Sequence, residues 1–208
     1  MKFILLFSTC LFTSFLFSQN YQPFEGELLY SIELIHPQTL KPKFISFTTI
    51  FTNDTIVRTE SENPTLGKQT LLRHLLLSKQ YVLLEYKGQK YAIQQNIGKD
   101  TSTSKYTFTA CRGYKTIGGI KAKKIIVNHP NFKTPLTMYY AKDLNPKYLG
   151  ILKGIEGLPV KYYIQTEDGL FCYTLREIKT KEIPNTFFLV SKEYEKISFA
   201  DFMERVSK

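Results

Sequence analysis

The sequence predicts a mainly β (α+β) protein: a single antiparallel sheet, curved into a half-barrel, with a short C-terminal helix. Three observations lead to this prediction. Apolar and polar side chains alternate with a period of two along much of the chain, which is typical of strands with one buried face. Turn signals recur about every 10 residues, and strands do not alternate with long helices. The 208 residues include 16 Phe and 14 Tyr but no Trp, and aromatic residues favour strands.

Residues 1–18 differ from the rest and are predicted to be a signal peptide. A short basic start is followed by residues 3–17, which carry no charge. This run is shorter than the roughly 20 residues of a membrane-spanning helix, and it fits the apolar core of an export signal. Cleavage before Gln19 fits best, and an uncleaved anchor or a lipoprotein-type cleavage before Cys10 fits less well. We therefore expect a protein exported to the periplasm or cell envelope.

The remaining residues, 19–208, are expected to form one antiparallel β domain. Short turn sequences, among them Asn53-Asp54, Lys87-Gly88 and Asp168-Gly169, join the strands into hairpins. Gly118-Gly119 predicts a further turn or bulge. The predicted strands are 27–34, 44–52, 55–59, 70–77, 81–86, 89–95, 136–140, 160–166 and 170–178, with loops at 96–104 and 128–131 and a Gly-rich linker over 145–159.

A short amphipathic helix is predicted after Ser198. Asp201 follows three residues later, which is the spacing of a capping box. One apolar stripe at helical spacing follows, and we expect it to pack on the sheet or across its open end. The stripe consists of Phe199, Phe202, Met203 and Val206.

The formal net charge of +10 raises the question of an anionic partner. The basic residues are spread along the chain, and the densest group lies within 115–124. Export argues against nucleic acid, so anionic lipid headgroups or envelope phosphates are the favoured partners. Solubility of exposed strand edges explains the lysines equally well. No second long apolar stretch follows the signal, so we expect no transmembrane segment in the mature chain.

Cys111 and Cys172 are the cysteines outside the predicted signal. In an oxidising compartment they can form a disulfide, and they can also remain as free thiols. A bridge would close a loop of about 60 residues, which is worth roughly 4 kcal/mol. Their spacing is not that of a redox motif.

The sequence contains no strong catalytic or metal-binding motif, so we expect no enzyme activity, no cofactor and no metal site. Gly-x-Ser-x-Gly, His-Glu-x-x-His and phosphate-binding glycine motifs are all missing. His36 and His129 each precede a proline and are interpreted as turn residues. His74 and the pair Glu193 and Glu195 fit solvated strand faces better than acid–base chemistry.

Six aromatic residues form the candidate ligand site. They lie on strand faces that are predicted to point into the curve of the sheet. A half-closed sheet lined with aromatic rings can hold an acyl chain or another apolar ligand, and a filled core has the same composition. The six are Tyr30, Phe47, Phe51, Tyr140, Tyr162 and Tyr173.

The order of several short motifs resembles a group of exported proteins. They are FEGELLYS at 24–31, YKTIGGIKAKK at 114–124, YYAKDL at 139–144, GLP at 157–159, and the segment 187–194. In this order they resemble the small Bacteroidota proteins grouped as GLPGLI-type and related domains of unknown function. The resemblance covers nearly all of the chain after the signal, although only the first three residues of the GLPGLI motif are present.

Such families are similar to the LolA/LolB-like fold, an antiparallel half-barrel closed by helices that shelters acyl chains in lipoprotein carriers. The resemblance therefore implies an envelope protein that binds lipid or a lipoprotein acyl chain in the concave face of its sheet. It implies no catalytic residues. The alternative is a non-enzymatic protein-interaction or structural module with a filled core and no small ligand. The oligomeric state is left open.

Overall fold

The computed structural model describes residues 21–36, 41–63, 67–77, 79–96 and 106–207. The predicted signal peptide and most of the predicted loop 96–104 lie outside the described residues. The described chain forms a sheet of 12 strands and one α-helix. The strands are β1 (Glu25–Ile35), β2 (Pro42–Asn53), β3 (Ile56–Asn63), β4 (Gly67–His74), β5 (Lys79–Tyr86), β6 (Gln89–Asn96), β7 (Thr107–Ile117), β8 (Ile120–Asn128), β9 (Leu136–Ala141), β10 (Leu158–Thr166), β11 (Gly169–Thr180) and β12 (Glu195–Ser198), and the helix is α1 (Phe199–Val206).

The strand order is β12-β6-β5-β4-β3-β2-β1-β11-β10-β9-β8-β7. Strands β1 to β6 run outward from the centre as one meander, and β7 to β11 run back to the centre as a second. All neighbours are antiparallel except β12, which pairs with β6 in parallel. The predicted mainly β fold with an antiparallel sheet is therefore confirmed. Strands β7, β8 and β12 were not among the predicted strands.

Hairpins form at the predicted turns, although the two turn residues between β10 and β11 are Glu167 and Asp168, and the positive φ falls on Gly169, the first residue of β11. Lys87 and Gly88 have φ of 51° and 77°, and Gly118 and Gly119 have φ of 56° and 80°. Both are two-residue turns with positive φ at the two central positions, which matches the twist of the flanking strands. At the β2–β3 turn, the Asn53 side-chain oxygen accepts hydrogen bonds from the backbone amides of Thr55 and Ile56 at 3.2 and 2.9 Å.

A shared core shows that the sheet is curved. Leu28, Ile50 and Val57 of β1 to β3 belong to the same buried cluster as Val127 and Met138 of β8 and β9. Strands β3 and β8 are far apart in the strand order, so their side chains can share a core only if the sheet bends towards that face. We call this the concave face, and the opposite one the convex face.

Helix α1 forms at the predicted position. The Ser198 Oγ accepts a hydrogen bond from the Asp201 amide at 3.1 Å and donates one to its carboxylate at 2.6 Å. Phe202 is buried against Tyr91 of β6, with ring centroids 5.4 Å apart. Phe199 and Met203 remain exposed, so only part of the predicted stripe packs on the sheet. Among the described residues, no helix combines the length and the apolar character needed to cross a membrane.

Candidate ligand-binding site

Four of the six predicted aromatic residues meet on the concave face. Tyr30, Tyr140 and Tyr162 are buried, and Tyr173 is half-buried. The rings of Tyr162 and Tyr173 stack with centroids 4.8 Å apart, and Tyr30 lies 6.0 Å from Tyr162. The Tyr30 hydroxyl donates a hydrogen bond to the Pro159 carbonyl at 2.8 Å. The buried hydroxyl of Tyr30 is therefore satisfied by the protein itself.

Phe47 and Phe51 lie on the other face, so the prediction that all six point into the curve is wrong for these two. In the register of β1 and β2, Tyr30 is opposite Thr48, and Ser31 is opposite Phe47. The buried face of β2 is therefore formed by threonines and Ile50. The buried hydroxyls have partners, since Thr48 donates to the Glu60 carbonyl and Thr52 accepts from the Asp54 amide, each at 3.0 Å. Phe47 is 51% exposed, and Phe51 packs on Phe187 of the 3-10 helix Asn185–Phe188, with ring centroids 5.0 Å apart.

Residues 142–157, between β9 and β10, cover the concave face, and we call them the covering segment. A linker was predicted here, but Tyr148, Leu152 and Ile155 are buried in the main core. The Tyr148 hydroxyl donates to the Asp54 carboxylate and accepts from the Phe24 amide at 3.3 Å. Burial, followed by the nearby Asp54 carboxylate, raises the pKa of Tyr148. The concave side is thus filled by the chain itself.

Arg73 of β4 fastens the covering segment. Its Nη2 donates to the carbonyls of Lys147 and Tyr148 at 2.6 and 2.8 Å, and its Nη1 donates to that of Leu149 at 3.2 Å. These carbonyls lie at and just after the short 3-10 helix Pro146–Tyr148, whose end leaves acceptors without internal partners. Gly150 has a φ of 67°, and a β-carbon there would overlap the guanidinium. The segment and the arginine are therefore fitted to each other.

A separate cavity of about 500 Å³ lies at one margin of the sheet, and we call it the marginal pocket. Its walls are mainly apolar and come from the end of β1, the β8–β9 loop, the start of β9 and the β10–β11 hairpin. Its apolar lining residues are Ile35, Phe132, Leu136, Tyr163 and Leu170, and its polar ones are Asn131, Lys133, Thr134 and Gln165.

The pocket exists because β10 is longer than its neighbour. The pairing of β9 with β10 ends at Tyr139 and Lys161, so the last residues of β10 have no β9 partner. The β8–β9 loop lies beside this end instead. His129 shapes the loop, since its Nδ1 accepts from the Asn131 amide at 3.1 Å and its carbonyl accepts from the Phe132 amide at 2.9 Å. The predicted turn is thereby confirmed, and it places the buried Phe132 in the pocket wall.

The structure does not contain the disulfide that the sequence left open. Cys111 and Cys172 are both free thiols, on β7 and β11. The Cys111 thiol donates to the Thr109 carbonyl at 3.6 Å, and the Cys172 sulfur lies 3.7 Å from the Thr174 hydroxyl. Cys172 is buried, and burial raises the pKa of its thiol, which disfavours the reactive thiolate.

The histidines examined as catalytic candidates have structural partners. The Nδ1 of His74 accepts from the amides of Leu76 and Leu77 at 3.3 and 3.2 Å and so shapes the β4–β5 turn. Acid–base chemistry at His74 would need a carboxylate beside it. Glu85 is not placed for this, since it lies at the opposite end of β5 from Lys79, the residue paired with His74. Within the described ranges, no group of three His, Cys, Asp or Glu side chains is arranged to hold a metal ion.

The buried tyrosines predict how stability depends on alkaline pH. Burial raises the pKa of Tyr30, Tyr162 and Tyr163 above the ordinary value of 10.0. Above that pH the unfolded chain loses these protons while the folded protein keeps them, so the contribution of these tyrosines to the free energy of unfolding is constant up to about pH 10 and falls beyond it. In an absorbance titration, these three tyrosines should ionise in one step that coincides with loss of the far-ultraviolet circular dichroism. Ionisation of all tyrosines with the sheet intact would contradict this.

Comparison with known proteins gives no match: neither a family model nor a curated protein matches the chain. The resemblance to GLPGLI-type proteins therefore remains a prediction from its motifs.

Proposed function

We propose that the protein is an exported, non-enzymatic binding protein for a ligand with an acyl chain and an anionic head, held in the marginal pocket. The observation that carries this proposal is the cavity of about 500 Å³ with five apolar residues in its wall. Cavities of about 300–1,000 Å³ with mainly apolar walls and a few polar groups are typical of small-molecule sites. Each methylene group that leaves water contributes about 0.8 kcal/mol, so an acyl chain is a favourable occupant.

Lys133 supports an anionic head. It is the one charged side chain among the described residues that line the pocket, and it is exposed. Asn131, Thr134 and Gln165 add neutral hydrogen-bonding groups beside it. An ammonium group above an apolar wall suits an amphipathic ligand, because the carboxylate or phosphate can remain partly hydrated while the chain is buried.

The marginal pocket is a better candidate than the concave face, which the sequence favoured. Tyr30, Tyr140 and Tyr162 are covered by protein atoms, and the covering segment is held by Arg73. A ligand among these tyrosines would have to displace packed side chains and break charge-assisted hydrogen bonds. The marginal pocket is a cavity already, so a ligand there need not displace packed side chains.

Binding of palmitate to the purified mature chain tests this proposal. Thr134→Trp should weaken binding at least tenfold, because an indole at this exposed wall position would occupy the cavity. Leu170→Glu should abolish it, because a carboxylate would lie in the apolar wall facing an anionic ligand. The matched control is Leu189→Glu, since Leu189 is 63% exposed and does not line the pocket.

Lys133→Gln distinguishes the contribution of the anionic head to binding from that of the acyl chain. It should weaken palmitate binding several-fold and leave binding of the uncharged hexadecanol unchanged. The proposal fails if palmitate does not bind, or if the Leu189 and Leu170 variants lose binding equally while both remain folded by circular dichroism.

A protein-interaction role is the second candidate, and one feature of β2 favours it. Strand β2 begins at Pro42, but its pairing with β3 covers only Thr48–Thr52. Among the described residues, its first residues have no strand partner on that side and so present a sheet edge, and Phe44 and Phe47 are exposed there with ring centroids 4.9 Å apart. An extended peptide could add a strand at such an edge. If so, Phe44→Ser with Phe47→Ser should abolish photo-crosslinks from residue 45 to envelope proteins, and retained crosslinks would exclude this edge.

A further inference from the structure

The β7–β8 hairpin concentrates positive charge without any acidic residue. Residues 107–128, which we call the basic hairpin, carry five cationic side chains and no Asp or Glu. The acid-free stretch is longer still, because no Asp or Glu occurs from residue 101 to residue 142. The five cations are Arg112, Lys115, Lys121, Lys123 and Lys124.

The hairpin lies at the outer edge of the sheet. Strand β7 ends the strand order and pairs only with β8 among the described strands. Arg112, Lys115 and Lys121 are exposed, and no carboxylate of the described chain lies within ion-pair distance of them. Lys123 is different, because its ammonium lies 5.9 Å from the ring centroid of Tyr140, whose hydroxyl donates to Glu156 at 3.1 Å. Most of the charge is thus unneutralised and accessible.

The cations lie on both sides of this two-stranded ribbon. Tyr114 is opposite Lys123, and Lys115 is opposite Ala122, so Lys121 and Lys123 share one side while Lys115 and Lys124 share the other. Tyr114 is 63% exposed, and the Lys121 ammonium lies 4.7 Å from its ring centroid. A surface that meets the ribbon along its free edge would therefore be reached by cations from both sides and by one aromatic ring.

We propose that the basic hairpin docks along its free edge on a bilayer that contains anionic phospholipids. Complementary charge is the basis of this assignment: each lysine or arginine near an anionic bilayer strengthens binding about fivefold. Long lysine side chains can reach the headgroups from either side of the ribbon, and tyrosine is favoured at the boundary between headgroups and water.

A bilayer fits this shape better than a nucleic acid does. Sequence-independent binding of single strands uses a basic groove with several aromatic rings on which bases stack. The described hairpin has one exposed ring, and Lys121 covers a face of it. A broad anionic surface needs neither a groove nor a stacking platform.

Vesicle co-sedimentation of the purified mature chain tests the proposal, with vesicles of phosphatidylcholine alone or mixed with phosphatidylglycerol. The hairpin variant carries Lys115→Gln, Lys121→Gln and Lys124→Gln. The control carries Lys43→Gln, Lys79→Gln and Lys192→Gln, which remove the same charge from exposed lysines elsewhere. Lys123 is left unchanged because its ammonium faces the Tyr140 ring.

We expect binding only to vesicles with phosphatidylglycerol, and weaker binding as salt increases. The hairpin variant should bind about a hundredfold more weakly, at roughly fivefold per lysine, and the control variant less than tenfold more weakly. Equal losses in the two variants would overturn the proposal, as would equal binding to phosphatidylcholine alone. Tighter binding to a single-stranded oligonucleotide than to the anionic vesicles at the same salt would also overturn it. Thermal unfolding of both variants confirms that the sheet is intact.

Discussion

Replacing Arg73 by methionine should lower the free energy of unfolding by about 3 kcal/mol. The substitution removes the donors to the carbonyls of Lys147, Tyr148 and Leu149 and leaves these acceptors without their partner. Hydrogen bonds to a charged group contribute about 1.5–3 kcal/mol each, and the burial of the guanidinium offsets part of their sum. The pKa of Arg73 is lowered, because burial partly removes its charge from water. Urea unfolding followed by circular dichroism measures the effect.

Arg112→Met is the matched control, because it makes the same change at an exposed position on β7. It should change the free energy of unfolding by less than about 0.5 kcal/mol. Arg73→Lys should recover only part of the loss, since an ammonium cannot reproduce the planar fork that spans neighbouring carbonyls. If Arg73→Met were as stable as the control, the covering segment would be held by its apolar side chains alone.

Replacing Gly157 by alanine should destabilise the protein by about 3 kcal/mol. A β-carbon at this position would overlap the carbonyl oxygen of Ala141 and lie 2.8 Å from its carbonyl carbon. The overlap is with backbone, which cannot rotate away as a side chain can. The next amide, that of Leu158, bonds to the Leu144 carbonyl at 2.9 Å, and Leu158 is paired with Ala141. A shift that removed the overlap would therefore disturb the start of β10.

Gly88→Ala serves as the comparison, because a β-carbon there meets no atom within 4 Å although its φ is 77°. It should cost only about 1 kcal/mol, from the left-handed conformation alone. Equal stability of the two variants in thermal or urea unfolding would mean that the close approach at Gly157 is not rigid. The expected difference also gives a physical role to the first residue of the Gly-Leu-Pro motif.

The hairpins and the helix could be predicted from the sequence because their signals are local. Lys87-Gly88 and Gly118-Gly119 adopt positive φ, and the Ser198 hydroxyl caps α1 by accepting from the Asp201 amide. Strand β12 was missed since it has only four residues, and its parallel partner β6 lies about a hundred residues earlier in the chain.

The composition of the site was harder to predict, because it depends on register and on irregular chain. Hydrophobicity favours Phe51 over Thr52 as a core residue, but Thr52 is fully buried and its hydroxyl accepts from the Asp54 amide in the β2–β3 turn. The covering segment has no strand or helix period, so its burial was not visible. Arg73 has the sequence pattern of a solvated strand residue. Its partners, the carbonyls of residues 147–149, are distant in sequence and meet it only in the folded chain. The marginal pocket combines loop and strand residues that no sequence spacing relates.

Amide hydrogen exchange of the covering segment tests most directly whether the chain fills its own concave side. The amides of Gly150 and Leu158 bond to the carbonyls of Pro146 and Leu144 at 3.0 and 2.9 Å. If the segment is part of the core, both amides should exchange as slowly as the buried amide of Leu28 in β1, and all three should accelerate equally with added urea. Exchange of Gly150 and Leu158 within seconds, independent of urea, while Leu28 stays protected, would show that the segment opens freely. The concave tyrosines would then be accessible, contrary to this account.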